Sequence, residues 1–291
     1  MKFFTDHYFN IGSRHYKSGK PCQDYALSGG SETVACAIVS DGCSTGGNTD
    51  VGSRVLALST LRAIREHQDH EEFDIFDKQK KLLETAREEL YLETADMLAT
   101  CVYVYLTEEF GAICIQGDGV VAVKFRNGSL VSHKFEWAKN APFYIAYSDA
   151  DAKVYVENIH GGKKEDAVMS QSTIVTNSEG KVVEEFFEET SFDESKKGKI
   201  IRLTKETLLE IDFIAVFSDG ITQIGKLTSS EFEPWSEAVS DFLAFKNFEG
   251  EFAKRRMIRE LRNLEKNSLG PVDDIAYAVV RIDHDEAEEA T

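Results

Sequence analysis

Residues 33–50 read TVACAIVSDGCSTGGNTD, and the fold class turns on this stretch. Its first eight residues are a compact apolar, β-branched run, which predicts a buried strand. The ten that follow are rich in Gly, Ser, Asn and Asp and predict a loop. Val51, Val55, Leu58, Leu61 and Ile64 then recur every three or four residues, which predicts an amphipathic helix with Asp50 as its N-cap. The pattern returns in part at residues 213–220, FIAVFSDG, where a second buried strand ends in Ser-Asp-Gly.

Between these two strands the hydrophobic period changes. TCVYVYL (100–106), GAICIQG (111–117), VVAVKF (120–125) and SLVSHKF (129–135) predict short strands in an antiparallel meander, the last two joined at Asn127-Gly128. Residues 73–98 predict a second helix along Phe76, Leu83, Ala86 and Leu90. Two further helical patterns lie near 231–246 and 251–266, and IAYAVVRI (275–282) predicts a final strand. Successive strands without crossover helices do not make a βαβ series, so the class is α+β, with helices packed on largely antiparallel sheet. With no repeat and no Pro-rich linker, residues 1–291 read as one domain that closes its sheet with the terminal strand. Residues 136–205 read as an insertion or flap whose position and charge point to substrate selection. Within it VYVEN (154–158) predicts a strand, and residues 178–199 are charged and exposed. Residues 283–291 read as an acidic tail.

Thirty-three Lys and Arg against 51 Asp and Glu leave a net charge of −18, yet 42% of the residues are hydrophobic, enough for a large core. Such a surface repels nucleic acid and anionic membrane alike. The five cysteines are odd in number and form no C-x-x-C pair, which argues against a disulfide framework and a thiolate zinc site. No apolar run approaches the ~20 residues of a bilayer span, and the N-terminus lacks a signal-peptide core. The expectation is a cytoplasmic protein.

The placement of certain carboxylates is more specific. Asp41 and Asp219 end apolar strands, Asp118 follows one, Asp273 and Asp274 precede one, and Asp24 stands before the run YAL. Converging carboxylates repel one another unless a cation lies between them. Hard divalent cations take oxygen ligands from Asp, backbone carbonyls and water, so such a cluster points to Mg²⁺ or Mn²⁺. Gly42 and Gly220 fit this, because a residue without Cβ lets its carbonyl turn towards an ion.

The order of these motifs resembles the metal-dependent Ser/Thr phosphatases of the protein phosphatase 2C family, in a bacterial-type subgroup. Gln23-Asp24 is similar to that family's opening Glu/Gln-Asp motif, and Val39-Ser40-Asp41-Gly42 to its metal loop. Gly117-Asp118-Gly119 resembles its Gly-Asp-Ser-Arg turn, Ser218-Asp219-Gly220 its Ser-Asp-Gly motif, and Asp273-Asp274 its terminal Asp-Asn. The resemblance implies a four-layer αββα sandwich, an antiparallel β-sandwich flanked by helices, that hydrolyses phosphoserine and phosphothreonine in proteins. Carried over, Asp41 would bridge two Mn²⁺ or Mg²⁺ ions, Gly42 would offer its carbonyl, and Asp219 and Asp273 would complete the inner ligands. Gln23 and Asp24 would hold coordinated waters, and Asp118 would help a third ion. Two such cations can deprotonate a shared water for in-line attack on phosphorus. Asp41 and Asp219 are then the catalytic pair, and Arg14 or Lys17 binds the substrate phosphate. Cys43 stands where some members carry a His, and Gln223 stands where an acidic residue often supports the third ion.

Two rival readings use the same residues. One is a phosphatase-like fold that serves as a catalytically inactive binding or regulatory module. In the other, Gly42-Cys43-Ser44-Thr45-Gly46 spells G-x-S-x-G and makes Ser44 the nucleophile of a serine hydrolase, with His284 as the only late histidine.

Overall fold

The computed structural model describes residues 1–31, 33–67, 74–226 and 231–284. In chain order the first strands are β1 (Lys2–Asn10), β2 (Asp24–Gly30), β3 (Val34–Gly42), β4 (Ala99–Thr107), β5 (Phe110–Gln116), β6 (Gly119–Phe125) and β7 (Leu130–Trp137). Then come β8 (Met169–Thr176), β9 (Val182–Thr190), β10 (Lys199–Thr204), β11 (Ile211–Phe217), β12 (Ile224–Lys226), β13 (Leu269–Pro271) and β14 (Ile275–Asp283). The helices are α1 (Ser13–Ser18), α2 (Thr49–Arg65), α3 (Phe76–Glu89), α4 (Asp149–His160), α5 (Phe192–Ser195), α6 (Lys205–Glu210), α7 (Trp235–Phe242) and α8 (Phe252–Lys266). None of the described helices is long and apolar enough to cross a membrane.

Two antiparallel sheets stack face to face. One runs β1-β14-β11-β6-β7-β8-β9 and the other β10-β5-β4-β3-β2. Alternation along each strand explains the layering. In β4, Val102, Val104 and Leu106 point into the core between the sheets, while Cys101, Tyr103 and Tyr105 point into a second core under α2 and α3. The outer face of the seven-stranded sheet buries Ala215, Phe217, Tyr277 and Val279 against Val239, Phe242 and Met257 of α7 and α8. Strands β3, β4, β5, β6, β11 and β14 are therefore covered on both faces, which is why they read as continuous apolar runs. The result is the αββα sandwich, and β14 lies between β1 and β11.

Four local expectations change. Asp50 is not the N-cap of α2: the helix starts at Thr49 behind Asn48, and Asp50 lies in its first turn. The meander is split: β4–β5 belong to one sheet and β6–β7 to the other, and the chain crosses at Gly117-Asp118-Gly119. VYVEN is not a strand but lies within α4. A reciprocal capping box between Ser148 and Asp151 starts that helix, left-handed Gly161 ends it, and Tyr155 and His160 anchor its buried face. The helix expected over 73–98 is α3 followed by a 3₁₀ turn at Thr94–Met97; residue 73 itself lies outside the described residues. Residues 136–205 contribute to both sheets, with β8 and β9 extending one edge and β10 forming an edge of the other. Of the acidic tail, residues 285–291 lie outside the described residues.

Candidate active site

Strand register assembles the site. β2 and β3 place Asp24 opposite Asp41, and β3 and β4 place Asp41 opposite Thr100. Directly opposed Cα atoms in such ladders lie about 4.5–5.5 Å apart, so Asp24 and Asp41 are immediate neighbours. In the other sheet Phe217 pairs with Val120 and with Tyr277. The ends of β11, β6 and β14 therefore bring Asp219, Asp118 and Asp273 to the same rim. Asp41, Asp118, Asp219 and Asp273 line one cavity of about 940 Å³, together with Arg14, Gly42, Cys43 and Gln223.

The carboxylates are held against their own charge. Burial pushes Asp41 well above the usual carboxylate range, and the charges of Asp24 and Asp219 push it further. Asp24, 2% exposed, is raised by burial in the same direction. Asp118 is raised by burial and then by Asp219. Asp219 is pushed up to about 6, by burial and then by the charge of Asp273. Oδ2 of Asp24 and Oε1 of Gln23 are buried without a hydrogen-bond partner. Among the described residues no three Asp, Glu, His or Cys side chains enclose a cation by themselves. The fit to cations rests instead on an all-oxygen donor set whose mutual repulsion a bound cation would relieve without protonation.

The surroundings fix this geometry. Gln223 donates from Nε2 to Oδ2 of Asp219 (3.1 Å) and to Oδ2 of Asp273 (3.4 Å). Nδ2 and the backbone N–H of Asn48 donate to Oδ1 of Asp96, and the N–H of Glu93 to its Oδ2. The Asn48 N–H leads in holding the Asp96 carboxyl below its ordinary range. Gln23 donates to Oγ1 of Thr49 (2.6 Å), and Thr49 donates to the carbonyl of Cys43 (3.0 Å), so the loop after Asp41 is pinned from both sides. Gly42 and Gly220 both have negative φ; what each needs is close approach. A Cβ on Gly42 would meet the Thr49 carbonyl oxygen at 2.5 Å.

Gly119, which stands where the family carries Ser, has φ +139°, and a Cβ there would meet the Phe217 carbonyl oxygen at 2.7 Å. This glycine is the cost of crossing between sheets beside Asp118. Gly119→Ser, although it restores the family's letter, should destabilise the protein by about 2–4 kcal/mol from strain and overpacking. An unchanged urea midpoint in that variant would refute the account.

The basic stretch expected to serve phosphate divides. Arg14 lines the cavity, its side chain 57% exposed and its Nη1 3.4 Å from Oδ2 of Asp273. His15 is buried against Asp274, Lys20 donates to the Ser44 carbonyl, and Lys17 is exposed outside the cavity lining. Asp274 does not face the cavity. It accepts from the backbone N–H of Gly12 (2.7 Å) and of Gln23 (2.6 Å) and lies 2.8 Å from Nδ1 of His15. Ser44 is exposed, and His284 sits against the Ile211 carbonyl at the far end of the nine-residue β14, about 30 Å from Asp273. Among the described residues no histidine lines the cavity, so none of them serves Ser44 as a base.

Several lining residues escaped the sequence reading: Lys134, Glu136, Trp137 and Tyr144. Glu136 and Lys134 alternate with the buried Phe135 and Trp137 on β7, a period-two signal that could have marked them as outward-facing. Tyr144 is raised by burial and then by its neighbour Cys43.

Residues 11–262 match the family model described as protein phosphatase 2C. Among solved structures, the serine/threonine phosphatase Stp1 from Staphylococcus aureus is 11% identical, with 96% of this chain and 95% of that one covered and a TM-score of 0.55. A bacterial serine phosphatase is 12% identical over 97% and 98% of the two chains, with a TM-score of 0.55. The phosphatase domain with a fragment of the regulatory domain of SpoIIE from Bacillus subtilis is 13% identical, covering 97% of this chain and 64% of that one, at a TM-score of 0.53. No curated protein matches the sequence. The family match spans most of the chain: this chain belongs to the protein phosphatase 2C family of protein-serine/threonine phosphatases.

Proposed function

We propose that the protein hydrolyses phosphoserine and phosphothreonine in phosphoproteins, using Mn²⁺ or Mg²⁺ held at the carboxylate rim. The observation that carries this reading is the convergence of half-buried Asp41 and Asp219 with buried Asp118 on a cavity that also presents Arg14, with buried Asp24 paired directly behind Asp41. Asp41, the Gly42 carbonyl, Asp219 and Asp273 would hold two ions; Asp24 with Gln23 would orient water around them, and Asp118 would serve a third. Bound there, divalent cations supply Lewis acidity that lowers the pKa of water and neutralises charge on phosphoryl oxygens.

This chain's own groups do the rest. Arg14 offers a planar guanidinium to the phosphate, and its contact with Asp273 aims it at the rim. Gln223 keeps Asp219 and Asp273 apart and oriented. The five free cysteines agree with a reducing compartment such as the cytoplasm.

The test is hydrolysis of p-nitrophenyl phosphate and of a phosphothreonine peptide with Mn²⁺, abolished by EDTA and restored by excess Mn²⁺. A folded protein inert on both, with Mn²⁺ and with Mg²⁺, overturns the reading and favours a binding module.

A further inference from the structure

The cavity does not end at the carboxylates. Its floor continues over the outward face of β7, β8 and β9, where register places Glu136 opposite Ser170 and Ser170 opposite Glu189. The next row on that face is Lys134, Ser172 and Phe187, because directly opposed residues project to one side. Phe232 and Trp235 stand in the facing wall.

β9 is an edge strand, and edge strands commonly carry charge to block pairing with other chains. That accounts for Glu184 and Glu188 on its other face, where Glu188 pairs with Lys199. It does not account for Phe187, turned into the cavity yet 66% exposed, or for Phe232 at 43%. Lys134 is already paired with Glu136 at 2.7 Å, whereas Glu189 and Glu233 have no ion-pair partner among the described residues. A groove leaves the carboxylate rim carrying bare aromatic surface and two uncommitted negative charges.

We propose that this groove selects phosphoproteins with a basic side chain about three positions from the phosphorylated residue and a bulky apolar side chain beside it. The inference rests on the phosphatase reading and gives its substrate a chemistry. Glu136 lines a small recess together with Asp118 and Asp219, so it marks the reacting end. From Glu136 across Ser170 to Glu189 is two strand spacings, about 10 Å, the reach of roughly three residues of extended peptide. Glu189 and Glu233 attract Lys or Arg there and repel an acidic flank, so discrimination works in both directions. Phe187 and Trp235 cover the apolar neighbour.

The experiment uses the whole protein with Mn²⁺ and two phosphothreonine peptides that differ only in carrying Arg or Glu three positions to either side. The readout is the ratio of their kcat/KM values, which a general loss of activity leaves unmoved. The wild type should favour the Arg peptide by about tenfold at low salt, less at high salt. The double variant Glu189→Lys/Glu233→Lys should bring the ratio to about one or invert it. Phe187→Ala should narrow the preference for Leu over Gly beside the basic residue. A wild-type ratio near one, or a double variant that keeps the preference, overturns the proposal. If no peptide is hydrolysed, the phosphatase reading fails, and the groove is read by fluorescence anisotropy of the same labelled peptides. Tighter binding of the Arg peptide then upholds it, and equal affinity overturns it.

Discussion

Asp41→Asn should lower Mn²⁺-dependent phosphatase kcat/KM by at least about 10³-fold, and Asp219→Asn by a similar factor. Losing one preorganised electrostatic partner of a transition state commonly costs 10²–10³, and a carboxylate shared between two cations weakens both at once. Asn keeps the size and one acceptor of Asp, so the loss isolates charge. Without metal the same variants should be more stable than wild type, because each removes one member of a repelling set. The folded-state value of Asp219, about 6, lies above its unfolded value, so its protonated form stabilises. That contribution is complete below about pH 4 and is lost as pH rises through about 6. Metal-free wild type should therefore lose about 2–5 °C of Tm between pH 5 and pH 8, and Asp219→Asn less. Mn²⁺ should raise the wild-type Tm at pH 8 more than that of either variant. Asn variants that bind Mn²⁺ as tightly as wild type, and are less stable without it, would sink the assignment.

The layers and the rim were legible in the sequence for one physical reason: a strand covered on both faces writes a continuous apolar run, and a carboxylate at its end stands out. Asp41 after AIVS and Asp219 after IAVFS are such cases, and register then does what spacing alone cannot, setting Asp24 beside Asp41. The rest was hidden where sequence shows residue type but not direction. VYVEN has strand-like composition, yet Ser148, Asp151 and Gly161 decide for helix from outside it. Arg14 and Lys17 are alike in charge and three residues apart, but only Arg14 turns to the cavity, because its backbone N–H is tied to Val272 and its side chain to Asp273. Phe187 and Glu189 read as solvated, charged sequence; which face they share with Glu136 is fixed only by pairing through β8. G-x-S-x-G was a coincidence of composition in a Gly- and Ser-rich loop, and the distance to His284 exposes it.

Asp274 shows how far such direction matters. Its sequence neighbour Asp273 faces the cavity, so the pair reads as a doubled ligand, but Asp274 is 2% exposed and faces the chain's N-terminal segment. Three groups from residues 12–23 converge on it: the N–H of Gly12, Nδ1 of His15 and the N–H of Gln23. It thereby ties the segment carrying Arg14 and Gln23-Asp24 to the start of β14. Asp274→Ala would strand all three, and a buried donor left without its charged acceptor costs about 1–3 kcal/mol or more. The expected loss is about 3–5 kcal/mol in urea unfolding, with Mn²⁺ affinity falling because Asp24 and Asp273 lose their common anchor. Asp274→Asn, the family's own residue, should still cost about 1–3 kcal/mol, since one carboxylate oxygen becomes an NH₂ facing at least one other donor. His15→Ala should cost less than Asp274→Ala, because the two backbone donors keep their acceptor. Asp274→Ala that unfolds at the wild-type urea concentration and binds Mn²⁺ unchanged would mean the contacts are incidental, and that the N-terminal segment is held by the pairing of β2 with β3 alone.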